Sequence, residues 1–248
     1  YGFSIIPREF CLQAYNYILQ APQVILKAYS VTICITVIGT ILSLFIISMA
    51  AYSLSRKDLK YRSQISFFIY FTTLFSGGLI PWYILITTYL RLKDHYAVLV
   101  IPGLVSAMNI FILRSFLKSL PESLAESAKI DGAGDFRIYF QIILPLAKPG
   151  LATLGLLIGI GYWNDWYMAN LYINDTAKYP LQYFLYKMLA SAAVLNSGLK
   201  GNISYIGPTP SETLKMAAAI VVTGPIVLLY PFLQRFFVKG IIVGAVKG

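Results

Sequence analysis

Cysteine, histidine and acidic side chains are all scarce in this chain, and each scarcity closes off a kind of chemistry. Its two cysteines are Cys11 and Cys34, and Cys34 lies in an apolar run, so neither a structural disulfide nor a thiolate metal site has the residues it needs. The one histidine, His95, sits in a short polar stretch without a cluster of co-ligands, which leaves catalysis and metal binding without a centre. No Gly-x-x-x-x-Gly-Lys-Ser/Thr run occurs, so the chain has no phosphate loop with which to bind and hydrolyse ATP by itself. The opening YGFSIIPREFCLQAYNYILQAPQ has neither an initiator methionine nor the basic-then-apolar pattern of a signal peptide. The chain is therefore expected to begin inside a longer reading frame.

Charge as a whole is thin. Only 12% of residues are charged, against about 25% in an average soluble domain. What replaces it is apolar: 58% of residues are hydrophobic and the mean hydropathy is +0.69. Five runs reach the length of about 20 residues that a bilayer crossing needs. They are Ala28–Tyr52, Ile65–Leu90, Tyr96–Leu117, Gly150–Ile173 and Leu214–Val238. No polar segment exceeds about 40 residues, which excludes a soluble domain beside them. The expected fold is an all-α, polytopic membrane helical bundle, one transmembrane domain over residues 1–248.

Lysine and arginine set the orientation. With the polar stretch 119–147 facing the cytoplasm, twelve basic residues lie inside, and eight, such as Lys27, Arg91 and Lys187, lie outside. The short loop SRKDLKYR, residues 55–62, is the clearest inside marker. The net charge of +10 suits anionic lipid headgroups. The charges are scattered rather than gathered on one face, which argues against nucleic acid.

The polar stretch is too long for a plain helix hairpin, which needs only a handful of residues. Between Ser119 and Ile130 the pattern SLPESLAESAKI predicts a short helix, with Ser119 as its cap, Glu122 as reciprocal partner and Pro121 in the first turn. Asp131-Gly132 should break it. A second short helix is expected from about Ala133 to Gln141, capped by Asp131 and stopped by Pro145. Phe136, Tyr139 and Phe140 then share one face at i, i+3 and i+4. Such a face suits a bilayer surface and a docking knob for a cytoplasmic partner equally well.

Those residues carry a resemblance. The stretch is similar to the EAA motif of bacterial ABC importer permeases, and reads Glu126-Ser127-Ala128, Gly132, Ile142, Leu144 and Pro145 at that motif's spacings, with Ser127 in place of the first alanine. WNDW at 163–166 and QRFFVKGIIVGAVKG at 234–248 look like the fifth span and the C-terminus of maltose-type carbohydrate permeases. The opening FSIIPREFCLQAYNYIL looks like their subgroup for oligosaccharides and polysaccharide fragments. The resemblance implies a type I ABC importer transmembrane subunit in the bacterial cytoplasmic (inner) membrane. It implies six spans, of which one is missing at the N-terminus, and alternating access driven from outside the chain. The implied partners are a second homologous permease subunit, two ATP-binding subunits and an extracytoplasmic solute-binding protein. The chain itself is then no enzyme and carries no cofactor; ATP and Mg belong to the partner subunits. Glu126, Ser127, Ala128, Asp131, Gly132, Phe136, Tyr139, Phe140, Ile142, Leu144 and Pro145 form the expected ATPase-coupling site.

Candidates for the solute pathway come from the polar and aromatic residues within the runs. Asp165 is the one acid inside a run, with Asn164 beside it, and burying such a group costs about 2.5–3.5 kcal/mol on insertion scales. It is expected to hold neighbouring helices or gate the pathway rather than touch sugar. Trp82, Tyr83, Trp163 and Trp166 are cavity candidates, though an interfacial aromatic belt accounts for such residues as well. Gly155 and Gly159 read as a small-residue packing face. Gly77-Gly78 with Pro81, and Pro225 with Pro231, predict kinks. Residues 174–213 read as a long outside loop where a solute-binding protein would dock, with Thr209-Pro210-Ser211-Glu212 capping the last span. Two rival readings stay open: an importer of the same family for a non-sugar solute, and an ion-coupled secondary transporter, which would normally show more intramembrane acids.

Overall fold

The computed structural model describes residues 13–18, 22–196, 213, 215–224 and 227. Among them every regular element is a helix or helical turn. A short helix α1 (Gln13–Ile18) precedes α2 (Pro22–Ser55), whose 34 residues make it the one described helix long and apolar enough to cross a membrane unbroken. At 1.5 Å per residue it is about 51 Å long.

The second and third expected crossings are bent pairs rather than straight spans. In place of Ile65–Leu90 there are α3 (Arg62–Leu74) and α4 (Leu79–Ile84), the latter running into a π turn to Tyr89, with a 109° bend between them. The bend falls at the expected glycines. Gly78 has φ +86° and nothing within 4 Å of where a Cβ would stand, so backbone conformation, not space, selects it. Tyr96–Leu117 becomes tight turns over 96–103 followed, after a 49° bend, by α5 (Ala107–Lys118), which Ser106 caps through the Asn109 amide at 3.4 Å. The fourth run begins earlier than expected. α6 (Ser123–Ile130), α7 (Asp135–Ile138), a π turn over Tyr139–Ile143 and α8 (Leu144–Leu146) lead through a 77° bend into α9 (Lys148–Asn164). This run does not continue to Ile173. It breaks at Asp165-Trp166 before α10 (Tyr167–Tyr172).

α2 is the mast on which the rest is stacked. α5 and α9 both lie along it, and α9 comes closest where its glycines face it. A Cβ on Gly155 would stand 3.1 Å from Leu44 Cδ1, and one on Gly159 3.4 Å from Thr40 Oγ1, so the small-residue face packs helix on helix as expected. Further along α9, the Tyr162 ring lies over Gly39 of α2 and over Gly103, where a Cβ on Gly39 would come within 2.6 Å of it. Its hydroxyl donates to the Val100 carbonyl at 3.0 Å and lies 3.3 Å from Ser43 Oγ.

The segment after α10 is not an open loop. α11 (Leu181–Asn196) fills its first half and docks on the N-terminal end of α2, where the Leu181 amide donates to the buried Thr32 hydroxyl at 2.8 Å. Leu181 and Leu185 share a second core with Ile25, Ala28 and, from the apolar helix Lys215–Gly224, Ala217, Ala218 and Val222. The capping run 209–212, Pro225, Pro231 and the motif 234–248 lie outside the described residues.

Candidate functional site

The polar stretch folds into a hook bound to the foot of α2, with corrected boundaries. Ser119 does not cap α6. It ends α5, its hydroxyl donating to the Phe116 carbonyl at 2.7 Å, and α6 starts four residues later than expected. Glu122 stands in helical geometry before α6 and its carboxylate pairs with Lys57 at 2.7 Å. Asp131 caps nothing with its side chain; it closes α6, and Gly134 and Asp135 open α7. The closure follows from backbone bonding. The Gly132 amide donates to Lys129 and the Ala133 amide to Ala128, at 3.0 and 2.9 Å, with Gly132 left-handed at φ +79°. This is the bonding pattern that ends helices on a glycine. Pro145 does not stop the second helix either. The chain passes through it in helical geometry, because the wider π turn at 139–143 shifts the register and a proline in the first turn of α8 has no intrahelical amide to lose.

The expected aromatic face splits in two. Phe136 and Phe140 are exposed, Phe136 at 70%, whereas Tyr139 is only 3% exposed. The π turn and the tilt of the hook turn Tyr139 inward, so it is no part of an outer face. Its ring packs at 5.3 Å from that of Tyr52, and its hydroxyl lies 2.6 Å from Ser48 Oγ on α2. Ser48 Oγ donates to the Phe45 carbonyl at 3.0 Å, which leaves its lone pairs to accept from Tyr139. Ile138, Ile143 and Ala128 are buried in the same core. The hook exposes a further apolar residue that the helical spacing does not single out: Ile130, at the end of α6, is 86% exposed. Among the motif residues, Glu126, Ser127 and Pro145 lie at the surface, while Ile142 and Leu144 are half-buried against the core.

A charge lattice ties the hook to the 56–61 loop. Arg56 bridges Asp58 and Asp135 and also donates to the Tyr52 hydroxyl at 3.2 Å; Lys129 reaches Asp58 at 2.7 Å. The bonds from Arg56 and Lys129 hold the Asp58 carboxyl well below the usual carboxylate range, and the Asp58 bond in turn raises the Arg56 guanidinium. Between loop and hook lies a cavity of about 220 Å³, lined by Tyr52, Arg56, Leu117, Glu122, Glu126 and Lys129 among others. Chain positions 56–61 and 119–147 thus share one end of the bundle.

The pathway candidates do not form one cluster. Asp165 sits at the break between α9 and α10 rather than within a continuous helix, and its Oδ1 accepts the Tyr167 and Met168 amides at 3.0 and 3.1 Å. Asn164 accepts from Gln182 of α11 at 2.9 Å, and the buried Trp163 donates its indole N–H to the Val222 carbonyl at 3.3 Å. Trp166 stacks on Tyr186 at 4.5 Å, and Tyr83 on Tyr172 at 5.5 Å. Trp82 is exposed and makes no ring contact with the other candidates. At the opposite end of the bundle from the hook, the Asp94 carboxylate accepts the Asn174 and Asp175 amides at 2.6 and 3.0 Å, and these bonds lower its pKa. Next to it His95 opens a tight turn through its backbone, its amide donating to Leu92 at 3.1 Å.

Bent apolar helices around one long mast, with a polar hook at one end, define an all-α protein of the membrane type. The chain belongs to the family of binding-protein-dependent transport system inner membrane components, whose model matches residues 28–243. It is 44% identical to the Bacillus subtilis (strain 168) polygalacturonan/rhamnogalacturonan transport system permease protein YtcP, over 99% of this chain and 85% of that one. It is 39% identical to protein LplC of the same organism, over 100% of this chain and 82% of that one. Among solved structures, a bacterial ABC transporter involved in the import of the acidic polysaccharide alginate superposes with a TM-score of 0.80 and 31% identity, over 96% of this chain and 84% of that one. The chain is therefore an inner membrane permease component, and ATP hydrolysis is the work of a separate subunit.

Proposed function

We propose that this chain is the transmembrane subunit of an ATP-driven importer that moves a carbohydrate, an oligosaccharide or polysaccharide fragment, inward by alternating access. The observation that carries the coupling part is the hook: a knob with Ile130, Phe136 and Phe140 on its outer face, fastened to α2 by Tyr139 and the Arg56 lattice. Motion of an ATPase subunit grasping that face passes to α2 and α9 without being absorbed by a loose loop. The sugar part is supported by the relatives, two of which are named for the transport or import of polysaccharides.

The full assembly in this reading has a second homologous permease chain, two ATP-binding subunits carrying ATP and Mg, and a solute-binding protein at the face opposite the hook. The chain crosses the bilayer through α2, the bent pairs and the helix that begins near Lys215. A solute shifts the inward–outward equilibrium only through different affinity for the two states, so the binding protein and the sugar must both favour the outward one. Reconstituting the four kinds of subunit in liposomes tests the whole reading. Accumulation of a radiolabelled oligosaccharide that needs both ATP inside and the binding protein outside is the expected result. Accumulation of only a non-sugar solute, or uptake by this chain without an ATPase, overturns it.

A further inference from the structure

At the end of the bundle away from the hook, α2 and α11 leave a groove of about 640 Å³ between them, within the roughly 300–1,000 Å³ range of small-molecule sites. Among the described residues its charged lining is all of one sign: Lys27 of α2 and Lys187 of α11 reach it, no described carboxylate lines it, and neither lysine belongs to an ion pair with a described residue. Among the described residues of this end, Asp175 pairs with Lys178 and accepts the Ala177 amide, and Asp94 accepts the amides of 174 and 175.

The walls are aromatic. Tyr179 and Phe184 line the groove, and behind Tyr179 a ladder of rings leads away from it: Tyr179 to the buried Tyr183 at 4.6 Å, Tyr183 to Tyr186 at 6.4 Å, Tyr186 to Trp166 at 4.5 Å. Lys187 lies 5.6 Å over the Tyr183 ring, so its stem follows the ladder and its ammonium stays with the aromatic wall. Gln23, Thr176 and Ser191 add neutral hydrogen-bonding groups to the lining. The ladder ends at Trp166, the break between α9 and α10.

We propose that this groove is a binding site for a carboxylate-bearing saccharide, a uronate oligomer, at the outer mouth of the pathway. The pairing of features fits that class. Rings take the apolar faces of pyranose units, amide and hydroxyl groups take their hydroxyls, and two ammoniums without a carboxylate partner take the uronate carboxylates by charge-assisted bonds. A neutral sugar has no use for the lysines, and an anionic lipid has no use for the lining rings of Tyr179 and Phe184 together with the polar rim. The proposal rests on the carbohydrate-import reading and narrows it to acidic substrates.

The test uses the assembled importer with its binding protein in liposomes, and two probes, trigalacturonate and its fully methyl-esterified, neutral form. Losing two charge-assisted contacts should lower the ratio of uptake efficiencies, acid over ester, by about tenfold or more in Lys27→Gln/Lys187→Gln. Lys27→Arg/Lys187→Arg should restore it. An unchanged ratio in an importer that moves trigalacturonate overturns the site while leaving carbohydrate import standing. No uptake of any saccharide by the unmodified importer overturns the import reading itself. A defect that vanishes when anionic lipid is left out of the vesicles assigns the lysines to headgroups, and weaker docking of the empty binding protein assigns them to that protein; either result also overturns the site.

Discussion

Gly132 and Asp165 each do one definable job, and each suggests a pair of substitutions that separates backbone from side-chain effects. At Gly132 nothing stands within 4 Å of where a Cβ would be, but φ is +79°. Strain of about 1–2 kcal/mol, not crowding, therefore opposes Gly132→Val, whereas Gly132→Asn enters the left-handed region at lower cost. We expect the valine variant to insert but lose sugar uptake, and the asparagine variant to retain most of it in the same liposome assay. Asp165 holds the first amides of α10. Asp165→Ala should lower the stability of the detergent-purified chain by about 1 kcal/mol, the usual worth of a helix cap. Asp165→Asn keeps an acceptor and should recover it; equal thermal unfolding of alanine and asparagine variants would deny the cap. The sequence makes this aspartate conspicuous as an acid among apolar residues, but only the break in the helix shows why it is there.

At the level of elements, the hook is legible where local chemistry decides and not where tertiary packing does. A glycine after a short amphipathic helix marks its end from sequence alone, and the structure closes α6 on Gly132. Ser119 misleads because the cap pattern is equally compatible with the end of α5, and Tyr139 because a helical wheel cannot know that a π turn and Ser48 draw the ring inward. Ile130 escapes notice for a related reason: one exposed isoleucine at a helix end has no periodicity to announce it. The Arg56 lattice joins residues 79 positions apart, Arg56 and Asp135, and no local pattern reports it. Its behaviour follows from charge. Because the Asp58 carboxyl is held below its ordinary value, the Asp58 bridges contribute fully above pH of about 4 and fade only as pH falls through that lowered value. Coupling should therefore be flat between about pH 5 and 8 as far as the Asp58 bridges are concerned. The acids are half-exposed, so each bridge contributes about 1 kcal/mol or less and salt weakens it. Arg56→Gln removes three partners at once and should raise sugar-independent ATP hydrolysis over the unmodified complex more at low salt than at high, where screening has already weakened the bridges; hydrolysis still fully dependent on the loaded binding protein at every salt concentration would deny the lattice a role.

For the whole molecule, composition foretells a helical membrane bundle, while the bends of 109° and 49° turn two of the expected crossings from straight rods into articulated pieces and the 77° bend sets the hook at an angle to α9. Hydropathy counts residues and is blind to direction, so it cannot distinguish a span from a bent pair of equal length. Force, in the proposed mechanism, enters this chain through the outer face of the hook. The most direct measurement of that is the affinity of the ATPase subunits for the permease complex carrying Ile130→Ser, Phe136→Ser and Phe140→Ser together, with Tyr139 untouched so that the hook stays fastened to α2. Each large apolar side chain buried at the joint is worth about 1.5–3 kcal/mol, so affinity should fall at least about a hundredfold and binding-protein-stimulated hydrolysis should disappear. Unchanged ATPase affinity together with normal stimulated hydrolysis would contradict that point of entry and return these three side chains to the bilayer surface.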